Sequence, residues 1–372
     1  MRSLLLPLFF IIMQLLSLIL ARSLVWFFHP FISVRFWVMA IIMLVISNAF
    51  LAGLYFGAFR LTIGYLAVLW LSIISMLIIT VVVMLGDKFG FHGTIFYRLF
   101  AILSLVGVIS LSIYNAYTPV IRHITVTLDK SMSTPVRLAL VSDIHLGVLV
   151  GKNQLDKLTK ILSDNQVDLL LMPGDIMDDD TMYFDSQGMA GSLTKVVHTP
   201  RFGTVVSLGN HDLYQQDAYR AITHAILSSG AILLNDEHRT LLISKNGKTT
   251  KLNIVGRLDD HYHTRQPTAK LIADIDTHLP TILLDHRPSQ IEQNTQLPID
   301  LQVSGHTHKG QVFPANFIVN ALNRLGYGYE KINGTHVVVS SGFGFWGVPF
   351  RLGSQAEVWI IDMVGKPPIK PS

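Results

Sequence analysis

The stretch Gly305-His306-Thr307-His308-Lys309-Gly310-Gln311 sets two histidines one residue apart in a glycine-flanked loop. It follows directly on the apolar run Ile299-Asp300-Leu301-Gln302-Val303. In extended backbone, residues i and i+2 point to the same side, so two imidazoles can converge on one place. Alone, a His-x-His reads equally well as a metal loop or as two ordinary loop histidines. The deciding question is whether the chain supplies matching ligands at other strand ends.

It does so at four more places. Val136–Val141 reads as a buried strand and ends in Ser142-Asp143-Ile144-His145; Val167–Met172 ends in Pro173-Gly174-Asp175. Thr204–Leu208 ends in Gly209-Asn210-His211-Asp212, and Thr281–Leu284 ends in Asp285-His286-Arg287-Pro288. Helices are expected near Asn153–Leu162 and Ala218–Leu227. A hairpin is expected at Asn246-Gly247. Continuous apolar strands need cover on both faces, which predicts an α/β fold of sheets flanked by helices. In such sheets function gathers at the carboxyl ends of the strands.

Taken singly, each group has an ordinary reading. Asp143 caps a turn, Asp175 follows a turn glycine, and Asn210 suits a left-handed turn. Their joint occurrence is harder to assign to chance, because nearly every expected parallel strand ends in a ligand type. Five of the fifteen histidines fall in these loops. The others read as structural or exposed, with His261 and His263 the pair to watch. Mixed imidazole, carboxylate and amide ligands suit manganese, iron or zinc rather than calcium. There are too many for one tetrahedral zinc, and two ions sharing a carboxylate fit better.

The rest of the composition points to a membrane. Half of the 372 residues are hydrophobic and only 15% are charged, too apolar for an ordinary soluble domain. Four apolar runs, about Leu4–Leu20, Phe36–Phe59, Leu61–Leu85 and Ile95–Tyr117, predict an all-α transmembrane module of about four helices over residues 1–120. Trp26, Phe27 and Phe28 after the first run look like an interfacial belt and not a cleavage site. Residues 1–120 hold six Arg or Lys and one acid; the remainder is balanced, 23 basic against 24 acidic residues. The net charge of +4 is therefore no argument for nucleic-acid binding. There is no cysteine, which excludes disulfides, thiolate sites and cysteine nucleophiles. Arg22, Arg35, Lys88 and Arg98 are assigned to one set of loops. Arg2, Arg60, Arg122 and Lys130 fall on the other side, so the positive-inside rule gives a tie.

Asp143-x-His145, Gly174-Asp175-x-x-Asp178, Gly209-Asn210-His211-Asp212, His286 and Gly305-His306-x-His308 together resemble the motif set of the calcineurin-like metallophosphoesterases, over roughly residues 135–362. The segment Ser341-Gly342-Phe343-Gly344, through Pro349 and Arg351, is similar to the membrane-associated bacterial branch of proteins like YkuE, YaeI and LpxG. The resemblance implies a four-layer αββα sandwich over 121–365; the tail 366–372, rich in proline and lysine, is expected to be frayed. It implies that Asp143, His145 and His308 hold one divalent ion, that Asn210, His286 and His306 hold a second, and that Asp175 bridges them. By the same resemblance His211, oriented by Asp178, serves the leaving group. Lys309 departs from the glycine many relatives carry there and is expected to face solvent.

The expected protein is thus a multi-pass, membrane-anchored phosphoester hydrolase of a bacterial inner membrane, its catalytic face open with a lean to the extracytoplasmic side. A phosphoester substrate is expected, lipid or lipid-linked, with no nucleic-acid partner. The alternatives are a broad phosphodiesterase on soluble esters and a non-catalytic scaffold. Arg351 is a candidate phosphate contact. Phe343, Phe345, Trp346, Val348 and Phe350 read either as an acyl-chain surface or as core.

Overall fold

The computed structural model describes residues 2–55, 59–91 and 93–366. Their contacts divide the chain into two compact units. One holds Met1–Tyr114 with Gly347–Phe350, and the other holds Asn115–Trp346 with the chain from Arg351 onward.

The first unit is helical: α1 (Arg2–Phe28), α2 (Phe36–Tyr55), α3 (Phe59–Lys88) and α4 (Thr94–Tyr117, whose last residues pass into the second unit). Each is long and apolar enough to cross a membrane. Ile41, Val45, Leu77, Val81, Leu103 and Val106 are all exposed, which suits lipid and not water. Two expectations are corrected here. Arg22, assigned to a loop, lies within α1, because that helix runs past its apolar run, and Arg98 lies within α4, inside the apolar run itself.

Among the described residues the second unit is built from twelve strands and seven α-helices. Its strands are β1 (Val120–Ser131), β2 (Val136–Leu140), β3 (Leu169–Pro173), β4 (Thr204–Ser207), β5 (Ile232–Leu233), β6 (Glu237–Lys245), β7 (Lys248–Gly256), β8 (Thr281–Leu284), β9 (Leu301–Ser304), β10 (Gly328–Ile332), β11 (Thr335–Val339) and β12 (Glu357–Lys366). Its helices are α5 (Lys152–Asp164), α6 (Met182–Ser186), α7 (Ala190–His198), α8 (Gln216–Ser228), α9 (Thr268–Leu271), α10 (Ile291–Asn294) and α11 (Ala315–Leu322). The tail beyond Lys366 lies outside the described residues, and Lys366 itself ends β12.

The strands form two six-stranded sheets, β1-β12-β2-β3-β4-β5 and β10-β11-β9-β8-β7-β6. Alternation along each strand builds the layers. Leu138, Leu140, Leu169 and Leu171 of the first sheet pack against Ile282, Leu284, Leu301 and Val303 of the second, making the central core. Ala139, Val141, Leu170 and Met172 face the other way, onto Leu155, Leu158, Val196 and Ile222 from α5, α7 and α8. On the far side, Val255 and Leu283 meet Leu271 and Ile272 around α9. The order is helix, sheet, sheet, helix, as expected, with a thin outer layer on the second sheet. Asn246 and Gly247 close the β6–β7 hairpin at φ 52° and 74°, the left-handed pair such a turn requires.

Strands β2, β3 and β4 run parallel, and so do β8 and β9. Each is buried along nearly its whole length. All five therefore deliver their C-terminal loops to neighbouring edges of the two sheets.

Candidate metal centre

The loops that follow these strands are laced together by main-chain bonds. The amides of Asp143, His145 and Leu146 donate to the carbonyls of Gly174, Asp175 and Ile176; the Gly305 amide donates to the His286 carbonyl. The backbone passes so close to the side chains that only glycine fits at certain points. A Cβ on Gly305 would strike the Asp143 carboxylate, and one on Gly209 would strike that of Asp175. Asp143, His145, Asp175, His306 and His308 all adopt left-handed backbone, with φ of 52°, 52°, 53°, 68° and 48°. Non-glycine residues hold that conformation only where the surroundings over-determine it, typically at sites of function.

Among the described residues four groups of donor atoms lie within 4.8 Å, and two of them, Asp143, His145 and His308, and Asp175, His286 and His306, share no residue and match the expected ligand sets. Asp175 stands between them. Its Oδ2 lies 3.7 Å from His145 Nε2 and 3.2 Å from His286 Nε2. Its Oδ1 accepts the His211 amide at 2.9 Å. The Asp143 carboxylate accepts the His306 amide at 2.9 and 3.1 Å.

The donor set fits two divalent ions on several grounds. His286 Nδ1 donates to the Pro173 carbonyl at 2.8 Å, which leaves the Nε2 lone pair facing the Asp175 carboxylate. Two acceptors 3.2 Å apart call for a cation between them. Although burial opposes it, Asp175 holds the His286 pKa well above its ordinary value, which favours a positive charge at Nε2, either a proton or the metal ion that would replace it. Burial would raise the Asp175 carboxyl, yet His286 and His145 keep it well below the usual range. Burial, then His286 and Arg287, pushes His306 down to about 3; burial with His145 and Arg351 lowers His308 as well. Both are thus neutral imidazoles, the ligating form. Asn210 donates its amide Nδ2 to the Tyr214 hydroxyl at 2.6 Å, leaving Oδ1 buried and without a hydrogen-bond partner. A buried carbonyl oxygen without a partner is what a hard cation would satisfy.

His211 lies at the edge of this cluster, its ring 4.7 Å from that of His145. It also falls within ligand distance of His145 and Asp175, so proximity alone leaves it a possible ligand. Its hydrogen bonding points elsewhere. Nδ1 binds Asp179 Oδ1 at 2.6 Å, whereas Asp178 Oδ1 is 3.9 Å away. This corrects the sequence reading, in which Asp178 orients His211. Asp178 instead approaches His145 Nδ1, at 3.7 Å. Burial lowers the His211 pKa, but the bond to Asp179 and the charges of Asp175, Asp179 and Asp178 together outweigh it, and the net shift is upward.

Arg351 is a second correction. It is fully buried and cannot meet a substrate. Its guanidinium donates to the carbonyls of Ser341 and Gly344 at 2.7 and 2.6 Å, and its Nη2 lies 3.1 Å from His308 Nδ1. Burial pushes its pKa down to about 10, so it stays cationic at neutral pH. It props His308 from behind. Replacing Arg351 by Gln is expected to lower metal affinity about 10–100-fold, as loss of a group supporting a ligand does. The apparent Tm should fall with it, and lysine should not rescue either, since one ammonium cannot span that fork. Unchanged metal titration by calorimetry would refute the role.

Other expectations resolve as follows. Lys309 does not simply face solvent: at φ 51° it occupies the left-handed position that suits glycine, and its ammonium lies 4.2 Å over the Tyr327 ring. Thr307 turns away to the Gly326 carbonyl. Phe343 and Phe345 are core residues, while Trp346 is partly exposed. His261 stacks edge-on against Tyr214 at 5.1 Å, and neither it nor His263 joins a ligand group among the described residues. Sequence reasoning missed Asp212, whose carboxylate accepts the amides of Gly209, Ile176 and Met177 and so clamps two loops together. It missed Tyr214 as well. Only the spacing of Tyr214 after Asn210, one helical turn, offered a signal.

Residues 136–310 match the family model described as calcineurin-like phosphoesterase. A Helicobacter pylori protein described as an uncharacterized metallophosphoesterase is 30% identical over 278 residues, covering 73% of this chain and 71% of its own. A Bos taurus protein, a transmembrane protein with metallophosphoesterase domain, is 29% identical over 69% of this chain and 59% of its own. YkuE of Bacillus subtilis, also an uncharacterized metallophosphoesterase, is 26% identical over 61% of this chain and 78% of its own. Together with the paired His and Asp groups, these likenesses suggest a dinuclear metal site in a hydrolase of phosphoric esters. The chain belongs to the calcineurin-like metallophosphoesterase family.

Proposed function

We propose that the chain is a membrane-anchored phosphodiester or diphosphate hydrolase of a bacterial inner membrane, acting on a lipid or lipid-linked substrate. The observation that carries the hydrolytic reading is Asp175, whose one carboxylate faces both ligand groups. Asp143, His145 and His308 hold one divalent ion, and Asn210, His286 and His306 the other. When bound, such a pair neutralises phosphoryl oxygens and makes a water nucleophilic. The chain's own side chains do the rest. The amides of His211 and His306 fix the carboxylates of Asp175 and Asp143. His211, held by Asp179, carries a proton toward the departing oxygen. Manganese, iron and zinc all suit the donor set.

A separate observation favours a lipid substrate. Helix α11 follows the His308 loop and packs on it: a Cβ on Gly310 would meet the Asn316 amide. Yet the helix exposes Phe317, Ile318 and Leu322 at 62, 59 and 79%. Phe313 beside them is also exposed. An apolar helix face next to a hydrolytic centre, in a chain with four membrane-spanning candidates, suits the headgroup–acyl boundary.

The test is the double variant Phe317→Ser with Ile318→Ser. Burying each side chain in lipid contributes about 1.5–3 kcal/mol. Hydrolysis of a phospholipid diester in vesicles should therefore fall at least about tenfold, while a water-soluble aryl phosphodiester is cleaved at the parent rate. Equal losses on both would favour a structural role for α11. No loss on either would favour the alternative, a phosphodiesterase of soluble esters.

A further inference from the structure

The helical unit carries a cationic cleft that the hydrolytic reading does not use. The last turns of α1, the end of α3 and the start of α4 frame an open space of about 520 Å³. Met76, Ile79 and Val83 of α3 make an apolar wall, and Arg22 and Arg98 face it from α1 and α4. No acidic residue lines the cleft, and among the described residues neither arginine has a carboxylate partner.

Depth makes this arrangement costly. Arg22 stands six residues before the end of α1, about 9 Å along the helix, and Arg98 four residues after the start of α4, about 6 Å. Two guanidinium groups without carboxylate partners thus stand within helices long and apolar enough to cross a membrane. Such groups mark sites, and their natural partner is an anion. An ordinary structural role exists for Arg98. Its Nη2 donates to the Trp26 carbonyl at 3.4 Å, in the last turn of α1, and its guanidinium lies 5.3 Å over the Trp26 ring. That role uses one of five donors. Arg98 Nε remains buried with no hydrogen-bond partner.

The missing anion is identified by what surrounds it. Arginine forks match phosphate oxygens in pairs. A small soluble anion gains nothing from Met76, Ile79 and Val83, whereas a lipid lays an acyl chain along them. Trp26 marks the headgroup level. We propose that this cleft binds the phosphate of an anionic phospholipid through Arg22 and Arg98, with an acyl chain against α3.

The test uses the full chain, delipidated in detergent and titrated with phosphatidylglycerol or phosphatidylcholine under native mass spectrometry. Phosphatidylglycerol should bind about tenfold more tightly. Arg22→Gln with Arg98→Gln should abolish that preference while cleavage of a soluble aryl phosphodiester persists, which shows that the chain is folded. Should the double variant fail to fold, Arg98→Gln alone should lower the preference severalfold. Arg35→Gln, a basic residue outside the cleft, should change nothing. A preference that survives the substitutions, or that Arg35→Gln removes equally well, overturns the site. Displacement of the bound lipid by excess glycerol phosphate overturns the lipid as its ligand.

Discussion

Replacing Asp175 by Asn is expected to lower phosphodiester hydrolysis by at least about a thousandfold, some 4 kcal/mol of transition-state stabilisation. The size follows from the position of one carboxylate. Asp175 Oδ1 is committed to the His211 amide at 2.9 Å, so in the amide variant the carbonyl oxygen must stay there. The new NH₂ group then takes the place of Oδ2, facing His286 Nε2 at 3.2 Å. It donates into the lone pair that His286 would offer a metal, whose tautomer is set by the Nδ1 bond to Pro173. The substitution thus removes a charge shared by two ligand groups and also blocks a third ligand. Metal content by elemental analysis should fall with the rate. The fold should survive, because the amide keeps the bond to His211 and the volume. A variant with parent activity and parent metal content would rule out a bridging role for Asp175.

The ligand groups were legible in the sequence because strand ends are. A buried strand shows as an apolar run, and the first polar residues after it must lie at the sheet edge. Asp143, Asp175, Asn210, His286 and His306 all announce themselves in that way. What lies one step behind them does not. Arg351 reads as a candidate phosphate contact, since arginine is rarely fully buried. Only the fold shows that it occupies a cage of carbonyls behind His308. Asp178 and Asp179 are adjacent in an irregular loop, and which carboxylate meets His211 depends on the left-handed turn at Asp179, φ 73°, a torsion that no periodicity reports. The depth of Arg22 was hidden for a different reason. Apolar runs mark where a helix must be, whereas α1 continues for eight residues beyond Leu20.

That local turn at Asp179 has a measurable consequence, because it separates two carboxylates that sequence alone treats as equivalent. His211→Ala should lower the rate about 10²–10⁴-fold, the range for loss of a positioned proton donor, with metal content unchanged. The loss should be steepest for alkyl esters, whose leaving oxygen needs the proton most, and shallow for nitrophenyl esters. Asp179→Asn should reproduce that leaving-group dependence at smaller size. Its amide oxygen can still accept from Nδ1 at the 2.6 Å contact, but it no longer supports a positive ring. Asp178→Asn should behave differently in kind. Its carboxylate lies 3.7 Å from His145 Nδ1, an atom buried with no hydrogen-bond partner, so its loss should weaken metal binding without steepening the leaving-group dependence. A linear free-energy plot over a series of aryl and alkyl diesters, with metal content measured for each variant, distinguishes the two. If Asp178→Asn steepens the plot and Asp179→Asn leaves it parallel to the parent, the orienting carboxylate is Asp178, and the 2.6 Å contact between His211 and Asp179 is not the one that matters in the reaction.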